Sequence, residues 1–127
     1  MIRVWPASAE IDILIRGLQL PTGLALRPNG HLLVLELCER LQQPLLPDWN
    51  GEPLHGGFTR FSGRLLGCDL QTAQVTVLAR GLDTPSNLCL LPDAVLVSEG
   101  MGLVGRPLPT PEENVVPLRG RLRRVQL

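Results

Sequence analysis

Short apolar runs bounded by turn residues follow one another along the whole chain. They read EIDILIRG, TGLALRP, HLLVLEL, RLLGCDL, QVTVLARG, SNLCLLP, AVLVSEG and RLRRVQL. Some alternate, as at 75–78, whereas 32–35 is apolar throughout, which is typical of a strand covered on both faces. Because 12 Pro and 13 Gly interrupt the chain, no helical period lasts for three turns. The pattern predicts an all-β protein.

An internal repeat organises these runs. Arg16-Gly17-Leu18 recurs as Arg80-Gly81-Leu82, and GRLLGCDL at 63–70 recurs as GRLRRVQL at 120–127. Further matched pairs are Pro21 and Pro85, Leu24 and Leu88, Leu26 and Leu90, Pro28 and Pro92, Leu33 and Leu96, Val34 and Val97, and Glu36 and Glu99. We predict one domain, 1–127, with a first repeat at 10–70 and a second, incomplete repeat at 74–127.

Each repeat describes four antiparallel strands with two apolar faces, the pattern of a β-propeller blade. The second repeat stops after its third strand, and a run that matches the fourth, EIDILIRG, stands at 10–17 instead. Two blades alone leave apolar faces and strand edges uncovered. We therefore expect the 10–17 strand to complete a blade of a neighbouring copy in a closed ring. The alternative is a truncated propeller fragment without activity.

The unit GL..PTGLALRPNGHLLVLE…GRLLGCDL resembles the blades of six-bladed propellers of the NHL-repeat, gluconolactonase and strictosidine-synthase-like group, over nearly the whole chain. It is also similar to blades of soluble sugar dehydrogenases. The resemblance implies six blades, hence a homotrimer of two-bladed chains. In gluconolactonase-like propellers, an Asn that begins an innermost strand ligates a central divalent metal. Asn87 matches that position, although Gly23 is its repeat counterpart and Leu88 follows it where the family has Gly.

The candidate site residues lie at one end of the predicted blades. The connections 19–23 and 83–87 and the long insertions 37–62 and 100–119 emerge there. Trp49 and His55 in the first insertion either form a ligand wall or cap blade edges and subunit contacts. Glu36 and Glu99 end the second strand of each repeat. In a trimer they either form a ring that holds a Ca²⁺-like cation together with Asn87, or bind backbone amides of their own loops.

Charge and motifs narrow the function classes. Twelve basic residues balance twelve acidic ones, which argues against nucleic acid or a membrane surface as partner. Three cysteines without framework spacing are typical of free thiols, so we expect a cytoplasmic protein. No nucleophile, phosphate-binding or zinc motif is present in the sequence. We predict a binding or scaffold protein for a small ligand or partner, with a metal-assisted lactonase or sugar-oxidoreductase-like enzyme as the alternative.

Overall fold

The structure, a computed structural model, describes residues 2–5, 10–39, 59–101, 105, 107–109 and 115–127. Within these residues the chain forms strands and turns and no helix, so the prediction of an all-β protein is confirmed. The strands are β1 (Ile2–Trp5), β2 (Glu10–Ile13), β3 (Pro21–Leu26), β4 (His31–Glu36), β5 (Gly63–Asp69), β6 (Val75–Leu82), β7 (Asn87–Leu90), β8 (Ala94–Glu99), β9 (Pro107–Pro109), β10 (Val115–Pro117) and β11 (Arg121–Gln126).

Two antiparallel sheets carry the repeat. The first sheet has the order β3-β4-β5-β6, and the second has the order β7-β8-β11. The remaining described strands pair as the hairpins β1-β2 and β9-β10. The sequence predicts a loop for the 100–119 insertion, whereas the structure has two short strands there. These strands were not predicted because each is only three residues long and contains proline, which is uncommon inside strands.

The repeat extends to the backbone of the connections that precede β3 and β7. Gly17 and Gly81 have φ of 76° and 70°, and Leu20 and Thr84 have φ of 43° and 45°. Glycine adopts such positive φ values without steric cost, whereas Leu and Thr rarely do. The two connections therefore share one conformation, including its strained residue.

The strand predicted at 10–17, which we expected to complete a blade of a neighbouring copy, is shorter in the structure. Only residues 10–13 form a strand, β2, and this strand pairs with β1 of the same chain, with Ile2 opposite Ile13. Residues 14–18 follow β2 outside any strand. A free strand needs an edge to satisfy its backbone, and within one chain β1 offers that edge. Pairing of this segment with another copy stays a prediction.

Apolar side chains between the two sheets form what we call the shared core. Its buried members come from both sheets: Leu33, Leu35, Leu65, Leu82, Val95 and Val97, with Ala79, Leu88, Leu90 and Val125 packed against them. The Thr22 hydroxyl donates to the Pro85 carbonyl oxygen at 2.9 Å and ties β3 to the approach of β7. The first sheet thus presents one face to the second.

The opposite face of the first sheet carries a second cluster, the outer core. Ile15 lies there against Leu32, Val34, Leu66 and Cys68, and Leu14, Leu18, Leu70 and Val77 pack around them. Residues 14–18 therefore cover part of this face. No helix in the described part of the chain is both long enough and apolar enough to cross a membrane.

Candidate functional site

Glu36 is enclosed in a clamp at the end of β4. Its Oε1 accepts the backbone N–H of Gln19 at 2.7 Å, and its Oε2 accepts Nε of Arg64 at 2.8 Å. Cross-strand pairing places Arg64 opposite Glu36, so the strand register builds the ion pair. The carboxylate is fully buried and its charge is compensated. Glu39 extends the network outwards by accepting Nη1 of Arg80 at 2.7 Å.

Glu99 is enclosed in an equivalent clamp at the end of β8. Its Oε1 accepts the backbone N–H of Asp83 at 2.7 Å, and its Oε2 accepts Nε of Arg121 at 2.5 Å and Nε of Arg123 at 3.1 Å. Asp83 and Arg121 are the repeat counterparts of Gln19 and Arg64. Each clamp ties together the connection before the first strand of its sheet, the end of the second strand and the start of the third.

A buried ion pair distinguishes the second repeat from the first. Arg60 is 2% exposed; its Nε donates to Oδ1 of Asp83 at 2.7 Å, and its guanidinium also donates to the Val116 carbonyl oxygen. The guanidinium of Arg60 lies 4.9 Å from the ring centroid of Phe61, and that of Arg121 lies 5.7 Å from it on a cation–π contact. The Arg60–Asp83 pair thus links three parts of the chain: the 59–62 segment, the connection before β7, and strand β10.

The other predicted site residues lie apart from the clamps. Asn87 is exposed at the start of β7, where its backbone N–H donates to the Ser98 hydroxyl at 3.1 Å. Its pairing with Ser98 places its side chain on the face of the second sheet that points away from the shared core. Trp49 and His55 lie outside the described residues. The structure therefore does not bring Asn87 and the two glutamates together.

Thr84 stands out beside the second clamp. Its side chain is fully buried, and within the described part of the chain its Oγ1 is the buried side-chain polar atom without a hydrogen-bond partner. Its carbonyl oxygen accepts the Met101 N–H at 3.0 Å, and the Asp83 carbonyl accepts the Gly100 N–H at 2.8 Å. These bonds hold the strained turn against the end of β8.

The buried thiols near the first sheet respond to the same surroundings. Burial raises the pKa of Cys38 and of Cys68, and the nearby charge of Glu36 raises both further. Both side chains are buried, whereas Cys89 is exposed on β7. A buried thiol with a raised pKa forms little thiolate at neutral pH, so Cys38 and Cys68 act as small apolar side chains.

Of the two roles that the sequence left open for Glu36 and Glu99, their contacts in one chain are those of the second, the binding of backbone amides in their own connections. Both carboxylates bind a backbone amide of their own connection and an arginine, rather than facing a common centre. Among the residues whose placement the structure describes, no group of three or more His, Cys, Asp or Glu side chains could hold a metal ion.

Sequence reasoning missed the basic half of each clamp. Arg64 and Arg121 occupy matched positions in GRLLGCDL and GRLRRVQL, just as Glu36 and Glu99 match in the two repeats. The recurrence of one arginine and one glutamate in each repeat was the sequence signal for the ion pairs. Arg60 gave none, because its partner Asp83 is 23 residues away and is set by tertiary packing.

Comparison of the chain with protein-family models, with curated proteins and with solved structures finds no match. The resemblance to six-bladed propellers therefore stays a prediction that rests on the blade pattern of the sequence.

Proposed function

We propose that the chain is the subunit of a homotrimeric, six-bladed β-propeller that acts as a binding or scaffold protein. In this proposal each sheet is one blade, and a small ligand or a partner binds at the loop-rich end or in the central channel. One observation carries the proposal. Each of the two sheets has a face that no other sheet covers in the described part of the chain, and the residue positions of these two faces are the repeat counterparts of positions in the shared core.

The first half of this correspondence lies on the first sheet. The second sheet packs against the first through Leu88, Leu90, Val95 and Val97. Their repeat counterparts, in the same order, are Leu24, Leu26, Leu32 and Val34. Strand pairing of Leu24 with Val34 and of Leu26 with Leu32 places all four on the outer face. Leu24 is 56% exposed and Leu26 is 60% exposed, although their counterparts pack in the shared core.

The second half lies on the second sheet. Leu33 and Leu65 of the first sheet are fully buried in the shared core, and their repeat counterparts are Leu96 and Leu122. Leu122 is 74% exposed. Its pairing with Ser98 puts it on the face that points away from the first sheet. Leu122 and Leu96 are apolar positions of this face of β8 and β11, which they share with Ser98 and Arg124.

The two faces are different surfaces, so contact between them joins copies head to tail. Such a heterologous contact closes into a ring when its rotation divides a full turn. Within one chain, the shared core fixes the angle between the two sheets. If the sheets of neighbouring chains pack in the same way, each contact adds the same rotation. The six blades of the family that the sequence resembles give three chains per ring.

Binding rather than metal-assisted catalysis is supported by the clamps. In both repeats the glutamate that would line a central cation site is already paired with arginine and with a backbone amide. Binding of a cation there would require these ion pairs to break. The connections that the clamps hold, 19–23 and 83–87, would line the loop-rich end as a preorganised surface.

Two complementary variants test the ring. Leu24→Asp blocks the outer face of the first sheet, and Leu122→Asp blocks the free face of the second sheet. Both positions are exposed within one chain, so each variant should fold and remain monomeric in sedimentation velocity. Mixed together, the two variants should form a dimer, since each supplies the intact face that the other lacks. Two variants that stay monomeric when mixed, or that assemble alone, would contradict head-to-tail contact.

A calcium titration separates the binding protein from the metal-assisted enzyme. We expect isothermal calorimetry to show no calcium binding to the assembled protein, and we expect Asn87→Ala to leave the result unchanged. Calcium binding that Glu99→Gln or Asn87→Ala abolishes would replace the proposal with the enzyme alternative. Asp69→Asn, which removes a carboxylate at the opposite end of β5 from Arg64, serves as the control.

A further inference from the structure

We infer that a groove beside β6 receives Ile11 and Ile13 of a second copy, whose residues 10–13 add a fourth strand to the second sheet along the edge of β11. This inference rests on the proposed function and names the segment that completes each joint of the ring.

The groove lies on the face of the first sheet that carries the shared core. It encloses a cavity of about 190 Å³ whose lining residues all belong to the first sheet and its turns: Arg27, His31, Leu33, Gly67, Asp69, Gln74, Thr76 and Leu78. Leu78 is 41% exposed there. The absent side chain of Gly67 makes room for Leu78 on the groove floor, because a Cβ at that position would lie 3.1 Å from Cδ1 of Leu78.

The repeat identifies the strand that fits beside this groove. Residues 10–13 match 74–77, and 75–77 of these begin the fourth strand of the first sheet, β6, which pairs with β5. The counterpart of β5 is β11. In the described part of the chain β11 pairs with β8 on one side, and no strand lies on its other side. An open strand edge of this kind is a template for strand addition.

The register then directs the apolar side chains into the groove. Val75 and Val77 lie opposite Cys68 and Leu66, so Ile11 and Ile13 would lie opposite Val125 and Arg123. Val125 packs in the shared core, so this face of β11 is turned towards the first sheet. Ile11 is 63% exposed and Ile13 is 51% exposed within one chain, which leaves both available for burial.

Charge complementarity supports the same register. Gly67 and Thr76 lie opposite each other in the first sheet. Their repeat counterparts are Arg124 of β11 and Asp12 of the added strand, which would therefore also lie opposite each other. Opposite charges at directly paired positions stabilise antiparallel strands. Arg124 already donates to both carboxylate oxygens of Asp93 at 3.0 Å, so Asp12 would join that pair on the outward face, while the two isoleucines would lie on the inward face.

The chain already holds this strand in the right place. Ile15 and Leu18 lie in the outer core, and their repeat counterparts Ala79 and Leu82 lie in the shared core. Residues 14–18 thus occupy, on the outer face, the position that the end of β6 occupies beside the second sheet. A neighbouring second sheet docked on the outer face would meet β2 at its open edge.

Cross-linking tests the pairing. The double variant Asp12→Cys/Arg124→Cys, in a Cys89→Ser background that removes the exposed native thiol, should form disulfides between chains on mild oxidation. We expect loss of the monomer band and a covalent trimer on a non-reducing gel, with the 12–124 linkage mapped by mass spectrometry. The control Asp12→Cys/Arg123→Cys shifts one thiol to the other face of β11 and should remain uncross-linked.

The outcomes separate this inference from the proposed ring. An assembly of unchanged mass without the 12–124 cross-link overturns strand addition and leaves the ring intact. A monomeric chain before oxidation overturns both, and a cross-link within one chain overturns the second copy as the source of the strand. Ile13→Asp provides a second measurement: the exposed side chain should leave the circular dichroism spectrum unchanged while the oligomer is lost.

Discussion

The shared core and the outer core are built from matching positions of the two repeats, yet they differ in completeness. In the shared core a second sheet covers the first, and leucines at positions 88 and 90 are packed. On the outer face only residues 14–18 provide cover, and the matching Leu24 and Leu26 are exposed. Leucines at matching positions are therefore packed where a second sheet covers them and exposed where none does, so their exposure depends on the covering sheet rather than on residue type.

The largest expected effect concerns the ion pair that the second repeat has and the first lacks. Arg60→Ala leaves the buried Asp83 carboxylate without its partner, which should lower the free energy of unfolding by about 3–5 kcal/mol. Gln19, the repeat counterpart of Asp83, has no such ion pair; Gln19→Ala keeps the backbone N–H that Glu36 binds and should cost about 0.5 kcal/mol or less. Urea denaturation measures both values, and equal losses would contradict the contrast.

The second prediction compares leucines at one repeat position. Leu88→Ala removes side-chain atoms from the shared core and should cost about 2–3 kcal/mol at any protein concentration. Leu24→Ala should cost under about 1 kcal/mol in dilute solution, where its side chain is exposed. The cost should rise with protein concentration, because assembly would bury that side chain. Denaturation at low and high concentration tests this, and a Leu24→Ala cost independent of concentration would contradict the docking face.

Removing the glutamate charge from either clamp should lower the free energy of unfolding by a similar amount. Glu36→Gln and Glu99→Gln each keep an oxygen that accepts the backbone N–H but remove the charge that pairs with arginine. We expect a loss of about 1–2 kcal/mol in either case, since the arginines remain partly accessible to water. Thermal unfolding of both variants beside the wild type measures the losses. A strong effect at one clamp alone would show that the two are not equivalent.

The smallest expected effect is a pH dependence confined to one of two matching turns. Asp93 between β7 and β8 replaces Asn29 of the first sheet. The Gln126 side chain, and then Arg124, lower the Asp93 pKa below its ordinary value of 3.8. A lowered pKa in the folded state contributes stability above 3.8, and the contribution is lost as pH falls through the folded-state pKa. The difference in unfolding free energy between the wild type and Asp93→Asn should therefore shrink on acidification, and a difference that grows would contradict this sign.

Much of the fold was accessible from the sequence because strand signals recur in two copies. The apolar runs at 31–37 and 94–100 predict β4 and β8, and the repeat singled out Glu36 and Glu99 together. The hairpins β1-β2 and β9-β10 were not predicted, since three- and four-residue strands carry too little periodicity. The partner of each glutamate depended on strand register, and the Arg60 contact depended on packing between distant segments, which local patterns do not encode.

The mass of the native protein in dilute buffer decides whether the exposed sheet faces of separate chains dock on one another. Light scattering coupled to size exclusion should give three chains of 13.9 kDa each, with no concentration at which a folded dimer dominates. A folded monomer at every concentration would contradict the claim that the exposed face around Leu24 and the exposed face around Leu122 are two halves of one contact.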